Sequence, residues 1–298
     1  MRKCIIGTDW WDDCDDAVAL RVLIRAHKQR RIELAGIVIN ACMEDSVSSL
    51  DGFLTAEGAV DIPIGLDRQA TDYTGRLTYQ KRLVPLCKRY RSNADAQDAI
   101  RLYRQILSNS SDPVEIIEIG FLQAVAQLLE SQPDDISPLS GMELVARKVS
   151  KFWVMAGRWD VEQGKENNFA RNQRARSGAH VFCEKCPVEV TFLGWEVGND
   201  VITGSHLSKD DILHHILRDH GSVNGRRSWD PMLVLLALTG DEKQAGYGVV
   251  RGTASVDDES GINRFDTCAD GKHAYVVKER ENSFYADWID RLIESVQR

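Results

Sequence analysis

The chain has 298 residues, a formal net charge of −8, 43% hydrophobic residues and 28% charged residues. This near-average composition excludes disordered and fibrous proteins, and the net acidity argues against a broad nucleic-acid-binding face, which concentrates Lys and Arg. No stretch approaches the roughly 18 uninterrupted apolar residues that a membrane span needs, and the apolar run near the N-terminus is too short for a signal peptide. Because the seven scattered cysteines suit reduced thiols, we expect a cytoplasmic protein that binds neither nucleic acid nor a membrane.

Short apolar runs alternate with segments of helical periodicity along most of the chain. The predicted elements in chain order are strand 4–6, helix 17–26, strand 34–40, helix 46–58, strand 62–65, mostly helix over 78–107, strand 113–119, helix 122–131, strands 151–156 and 188–193, helices 210–219 and 231–238, strands 247–252 and 274–278, and helix 284–296. The first three form a βαβ unit, which implies a parallel sheet with right-handed crossovers. We therefore expect a single α/β domain over residues 1–298, with an open, mainly parallel twisted sheet flanked by helices.

An acidic turn follows the first predicted strand, where open α/β sheets gather their ligand sites. It places five carboxylates within eight residues, at Asp9, Asp12, Asp13, Asp15 and Asp16. One or two acidic residues would suffice to cap the next helix. Five repel one another unless a cation neutralises them, and an all-oxygen ligand set suits a hard ion such as Ca²⁺ or Mg²⁺. The turn therefore predicts a metal site, and Asp230, directly before Pro231, is the best candidate for a distant ligand.

Four segments, in order along the chain, resemble motifs of the inosine-uridine-preferring nucleoside hydrolases. The acidic turn and the helix start Asp15-Asp16-Ala17 are similar to the family's Asp-Thr-Asp turn and Asp-Asp-Ala helix start. Three later segments resemble the family's mid-chain carbonyl ligand, its ribose-binding segment and its late metal-binding carboxylate: Glu-Ile-Gly-Phe-Leu at 118–122, Glu-Asn-Asn-Phe at 166–169 and Trp-Asp-Pro at 229–231. The resemblance covers most of the chain and implies the nucleoside hydrolase fold.

The resemblance also implies roles for individual residues. One Ca²⁺ would be held by Asp9, Asp15, Asp16, Asp230 and the backbone carbonyl of Ile119. The ribose hydroxyls would be bound by Asp16, Glu166, Asn168 and Asp230. Asp9 would be the general base that removes a proton from a Ca²⁺-bound water, which hydrolyses the N-glycosidic bond of a ribonucleoside or related N-ribosyl compound to ribose and free base. Family members are usually homodimers or homotetramers, and the activity belongs to nucleoside catabolism and purine salvage.

The acidic turn departs from the family pattern in its length. The family's first Asp is Gly7 here, and Trp10-Trp11 replaces a Pro-Gly pair in a longer loop. Counting forward from Asp9 makes Asp13 the next metal ligand, whereas counting back from the helix start selects the pair 15–16. We favour the second alignment, because the helix start fixes the geometry.

A second departure concerns the leaving group. Trp229 stands where well-studied members have a His thought to protonate the departing base. We predict that Trp10, Trp11 and Trp229 lie beside the sugar, where an indole would stack on a flat leaving group; ordinary core packing is the alternative for each. Four histidines are candidates for the missing acid: His214, His215, His220 and His273.

Two other functions compete with N-glycoside hydrolysis. An acidic turn after a first strand also holds Mg²⁺ in phosphatases, although here no Asp-x-Asp pair directly follows the strand and no phosphate-cradling loop is evident. The absence of the family's His would also suit a ribose- or nucleotide-binding protein that has lost catalysis.

Overall fold

The computed structural model describes residues 1–294, so positions 295 and 296 of the last predicted helix lie outside the described residues. The strands are β1 Lys3–Thr8, β2 Glu33–Ile39, β3 Ile64–Leu66, β4 Gln97–Asp98, β5 Val114–Glu118, β6 Val149–Met155, β7 Gly164–Lys165, β8 Val190–Leu193, β9 Ile202–Thr203, β10 Arg226–Arg227, β11 Tyr247–Val256, β12 Ile262–Thr267 and β13 His273–Lys278. The helices are α1 Asp15–Lys28, α2 Ser46–Ala56, α3 Gln80–Leu83, α4 Ala99–Asn109, α5 Gln123–Glu130, α6 Gly141–Lys148, α7 Asn167–Ala170, α8 Gln173–Lys185, α9 Trp195–Gly198, α10 Ile212–His220, α11 Trp229–Thr239 and α12 Asn282–Ile293.

Eleven of these strands form one sheet in the order β4-β3-β2-β1-β5-β6-β8-β13-β11-β12-β7. The pairs from β4 to β13 are parallel, and the pairs that involve β11, β12 and β7 are antiparallel. The predicted α/β architecture with a mainly parallel sheet is therefore confirmed. None of the described helices is long and apolar enough to cross a membrane.

Neighbouring residues of the central strands pack into different hydrophobic cores. In β1, Ile6 joins the core that contains the apolar residues of α1 and α11, whereas Ile5 joins the core that contains those of α4 and α5. Ile117 and Ile116 of β5 divide in the same way. A strand that is covered on both faces must be apolar at successive positions, which explains the short unbroken apolar runs in the sequence.

The segment 78–107 is helical over more than half of its residues, as predicted, but in separate pieces: α3, short 3₁₀ helices at Val84–Leu86 and Asn93–Asp95, and the start of α4. Helix α3 ends at Leu83, and α4 begins only at Ala99, after the Asp98 side chain accepts hydrogen bonds from the first turn. Between them, the buried carboxylate of Asp51 accepts the backbone N–H groups of Lys88 and Arg89 at 2.6 and 2.8 Å. These tertiary hydrogen bonds override the local helical preference. The prediction also missed α6, α8 and β12.

Candidate active site

A cavity of about 270 Å³ opens where β1, β5 and β6 end. The structure brings eight of the ten predicted site residues to its wall: Asp9, Asp15, Asp16, Ile119, Glu166, Asn168, Trp229 and Asp230. Asp12 and Asp13 also line it, together with five residues that the sequence did not single out: Met155, Asn167, Arg171, Trp195 and Arg226. The two predicted residues that do not line it are Trp10 and Trp11.

Two helix N-termini meet at the floor of this cavity. Asp15 and Asp16 begin α1, and Asp230 lies in the first turn of α11, the helix packed against it. Oxygen atoms of these three buried carboxylates lie within 4.8 Å of one another. The backbone N–H of Asp230 donates to Oδ2 of Asp15 at 3.2 Å. The partial positive charge at each helix N-terminus favours the carboxylates but does not balance three of them.

Hydrogen bonds within the turn between β1 and α1 hold the side chains of Asp9 and Asp16 in place. The N–H of Trp11 donates to Oδ1 of Asp9 at 3.3 Å, and the hydroxyl of Thr8 donates to Oδ1 of Asp16. Trp10 has a φ of 46°, in the left-handed region that a non-glycine residue rarely adopts. Backbone in this conformation costs energy and persists where surrounding contacts enforce it. The turn is therefore shaped by contacts that orient its carboxylates.

The electrostatics of this cluster fit a bound cation. Burial, and then repulsion from the neighbouring carboxylates, raises the pKa of four acids well above the ordinary value: Asp9, Asp15, Asp16 and Asp230. Keeping them ionised requires a compensating positive charge. The donors are oxygen atoms, and the carbonyl of Ile119 lies in the same cavity wall. Hard divalent ions prefer such a set.

Asp13 differs from these four acids because it forms an ion pair with an arginine side chain, Arg226. Nε of Arg226 donates to Oδ1 of Asp13 at 2.9 Å, and the two groups form an ion pair. Burial alone would raise the pKa of Asp13, but the hydrogen bond and charge of Arg226 lower it below its ordinary value. Of the two alignments of the acidic turn, this geometry favours the one that selects Asp15.

Another part of the cavity wall is formed by Glu166 and the start of α7. Oε1 of Glu166 accepts the N–H of Asn168 at 2.8 Å, and Oε2 accepts the N–H of Gly157 at 3.0 Å. Nδ2 of Asn168 donates to the carbonyl of Met155 at 2.8 Å. Burial raises the pKa of Glu166 to about 7, against the opposing effect of these backbone hydrogen bonds. Both polar side chains are therefore fixed before any ligand arrives.

The structure corrects the expectation for Trp10 and Trp11. Both are fully buried. Trp10 packs against Phe53, with ring centroids 5.4 Å apart, and its Nε1 donates to Oγ of Ser49 at 2.9 Å. Trp11 lies in a small core with Tyr73. Both indoles of the longer turn pack into hydrophobic cores, so neither is available to stack on a leaving group in the cavity.

Trp229 does line the cavity, but its N–H group is already bonded. Its Nε1 donates to the carbonyl of Trp195 at 2.9 Å. No histidine among residues 1–294 lines the cavity. A ring nitrogen of His220 lies within 4.8 Å of a carboxylate oxygen of Asp13, and its Nδ1 is 2.8 Å from Oγ of Ser222. Nδ1 of His273 accepts the N–H of Ala254 at 3.0 Å. None of the four candidate histidines therefore lines the cavity, and His220 is the one beside a residue that does.

The absence of a side chain at Gly7 is explained by the buried side chain of Glu118 on β5, which pairs with β1 in the sheet. A Cβ atom at position 7 would lie 1.9 Å from Oε2 of Glu118. Glu118 is fully buried, accepts a hydrogen bond from the hydroxyl of Tyr103, and has its pKa raised to about 8 by burial. The carboxyl group of Glu118 on β5 thus occupies the space beside position 7 of β1, where the family has its first Asp.

Comparison with known proteins gives a match at the level of the fold. No family model and no curated protein matches the sequence. Among solved structures, a plant nucleoside hydrolase has a TM-score of 0.76 at 14% identity, with 98% of each chain covered. A purine-preferring ribonucleoside hydrolase from Gardnerella vaginalis has a TM-score of 0.73 at 15% identity, also with 98% of each chain covered. An inosine-uridine-preferring nucleoside hydrolase from Bacillus anthracis has a TM-score of 0.68 at 15% identity, with 98% of this chain and 99% of that chain covered.

Proposed function

We propose that this chain, which has the fold of the nucleoside hydrolases, hydrolyses the N-glycosidic bond of a ribonucleoside or a related N-ribosyl compound. One observation carries the proposal. Acidic side chains from the turn after β1, from α1 and from α11 line the same cavity as the hydrogen-bonded side chains of Glu166 and Asn168. A carboxylate-rich, enclosed cavity is suited to an oxocarbenium-like sugar, because it stabilises the positive charge that develops as the bond breaks.

In the proposed reaction, Asp9 is the general base for the attacking water. Its carboxylate takes a proton as the water oxygen bonds to C1′ of the sugar, and the bond from C1′ to the base nitrogen breaks with its electron pair left on the nitrogen. That nitrogen gains a proton, so the products are ribose and the free base. The backbone N–H of Trp11 orients the Asp9 carboxylate. Glu166 and Asn168 would bind ribose hydroxyls, together with Asp16 and Asp230.

The residues that would hold a Ca²⁺ ion are Asp9, Asp15, Asp16, Asp230 and the carbonyl of Ile119. When bound, the ion would lower the pKa of a neighbouring water and help to orient the sugar diol. The cluster of buried, mutually repelling oxygen donors supports this assignment. Asp13 has a partner in Arg226 and is left out.

A second candidate function is ribose or nucleotide binding without turnover. It is favoured by the hydrogen bond from Trp229 to the carbonyl of Trp195, which leaves the indole N–H unable to assist the departing base. A base that leaves without a protein acid must take its proton from solvent. Hydrolysis of this kind remains feasible for bases that are good leaving groups, and the test below separates the two functions.

The test is incubation with a panel of purine and pyrimidine ribonucleosides and a phosphate monoester, with Ca²⁺ or with excess chelator. We expect free base, and its loss with chelator. Phosphate release instead would favour the phosphatase function, and saturable binding without product would favour the binding protein.

We further propose a cytoplasmic homodimer or homotetramer that acts in nucleoside catabolism and purine salvage. All seven cysteines are free in the structure, which supports a reducing compartment. Light scattering after size-exclusion chromatography tests the oligomer: a monomeric mass would contradict it.

A further inference from the structure

We propose that Arg171 binds an anionic group on the substrate, and that a ribonucleoside 5′-monophosphate is preferred over an uncharged ribonucleoside. This inference rests on the proposed hydrolysis of N-ribosyl compounds and names the substrate class.

Arg171 is an exposed residue in the cavity wall with two fixed contacts. Its guanidinium carbon lies 4.5 Å from the centroid of the Trp11 ring, and its Nη2 donates to the carbonyl of Thr74 at 3.1 Å. Trp11 is fully buried, so the indole is a rigid platform for the cation. These two contacts restrict a side chain that would otherwise lose conformational entropy on binding a ligand. The tryptophan that the sequence placed against the leaving group instead orients an arginine.

Arg171 differs from Arg226, the other arginine of the cavity wall, in having no ion pair. Among residues 1–294, no carboxylate lies within 4.0 Å of its guanidinium. By contrast, Arg226 pairs with Asp13, and Arg174 pairs with Asp72 at 2.7 Å. A guanidinium presents several N–H donors in a plane and matches the oxygens of a phosphate in a bidentate manner. Arg171 therefore has donors left for an anion at the cavity.

The position of Arg171 in the chain favours an anion attached to the sugar. It directly follows α7, the helix that begins at the proposed ribose-binding pair, and its backbone N–H donates to the carbonyl of Asn167 at 2.9 Å. A phosphate on the 5′ carbon is joined to the ribose itself. A carboxylate on the base is joined to the ribose only through the ring of the base.

The acidic cavity opposes anion binding through Asp12 and through the negative charge that a divalent cation leaves on its four carboxylate ligands. The proposed divalent cation would offset two of the four negative charges of its ligands, and Arg226 balances Asp13. Asp12 is half-buried and, among residues 1–294, forms no ion pair within 4.0 Å, although Arg171 is the cation that attracts it most strongly. Removal of its charge is therefore expected to strengthen phosphate binding.

The experiment measures kcat/KM for base release with Ca²⁺ from three matched pairs: inosine and inosine 5′-monophosphate, uridine and uridine 5′-monophosphate, and uridine and orotidine, which carries a carboxylate on the base. We expect the wild-type protein to prefer the 5′-monophosphate of at least one pair by about tenfold, the scale of a hydrogen bond to a charged group. Arg171→Gln should abolish that preference, and Asp12→Asn should increase it. Arg174→Gln removes an arginine outside this cavity and should leave the preference unchanged.

Failure of this inference differs from failure of the proposed function. Base release with equal or lower kcat/KM for both monophosphates, or a preference for orotidine alone, would overturn the inference and leave the hydrolase. If no substrate releases base, the hydrolase proposal fails, and Arg171 is tested by calorimetric binding of ribose and ribose 5-phosphate to the Ca²⁺-loaded protein. Tighter binding of ribose 5-phosphate that depends on Arg171 supports the inference; equal binding overturns it.

Discussion

Nε of Arg226 lies 2.9 Å from Oδ1 of Asp13, in an ion pair at the edge of the acidic cavity. The pair explains how five carboxylates share one turn. Asp13 is neutralised by a side chain from β10, while Asp15 and Asp16 meet Asp230 at the floor. The turn therefore contains two electrostatic environments, one completed by the protein and one that requires a cation.

This division predicts different effects of two neighbouring substitutions on calcium affinity. Asp15→Asn should weaken Ca²⁺ binding by about tenfold or more, because a buried charged ligand is lost. Asp13→Asn should weaken it less, because Asp13 is already paired. Isothermal titration calorimetry measures both. A larger loss for Asp13→Asn would show that the forward alignment of the turn is correct.

Calcium should also stabilise the fold. Because the cation would bind a native cluster whose carboxylates repel one another, an excess of Ca²⁺ about a hundredfold above Kd should raise the free energy of unfolding by about 3 kcal/mol. Differential scanning calorimetry should show the corresponding rise in Tm. Asp230→Asn should lose most of this rise, whereas the control Asp270→Asn, at an exposed turn, should retain it. Equal calcium responses in the two variants would exclude Asp230 from the metal site.

Trp10 should contribute to stability without contacting the substrate. Trp10→Phe removes the hydrogen bond to Ser49 and part of the ring that packs against Phe53, so we expect a loss of roughly 1–3 kcal/mol in unfolding free energy. Urea denaturation measures this loss. KM for the substrate should change little, in contrast to Trp229→Phe at the cavity wall. A large change in KM for Trp10→Phe with unchanged stability would return Trp10 to the binding site.

The stability should fall as pH rises from about 4.5 towards neutrality, in part because of Glu166. Its pKa is about 7 in the folded chain and near 4.5 when exposed, so between these values the folded state binds more protons than the unfolded state. The unfolding free energy therefore decreases with rising pH over this window, by up to ~3 kcal/mol for this group. Urea denaturation at pH 5 and pH 8, with chelator present, should give a smaller decrease for Glu166→Gln. An equal decrease in both proteins would show that Glu166 is not the group responsible.

The sequence predicted those parts of the site that depend on local patterns. The order of strands and the acidic turn follow from apolar runs and from residues next to them, and eight of the ten predicted site residues line one cavity. The locations of the Trp10 and Trp11 side chains could not be predicted because they depend on tertiary packing: an indole in a longer turn can face either the core or a ligand. Arg171 and Arg226 gave no local signal, because their roles come from contacts with distant residues such as Thr74 and Asp13.

The breaks in the helical segment 78–107 could not be predicted for the same reason. Its backbone is held by Asp51 of α2, and no periodicity within the segment reports that contact. Gly7 is comparable: its lack of a side chain makes sense only with Glu118 beside it.

The most direct test of the account is base release by Asp9→Ala in the presence of saturating Ca²⁺, compared with the wild-type protein on the best substrate of the panel. Removing the general base should lower kcat by roughly a hundredfold to ten-thousandfold, with far-UV circular dichroism and Tm showing that the fold is kept. Wild-type rates in the Asp9→Ala protein would contradict the proposed mechanism.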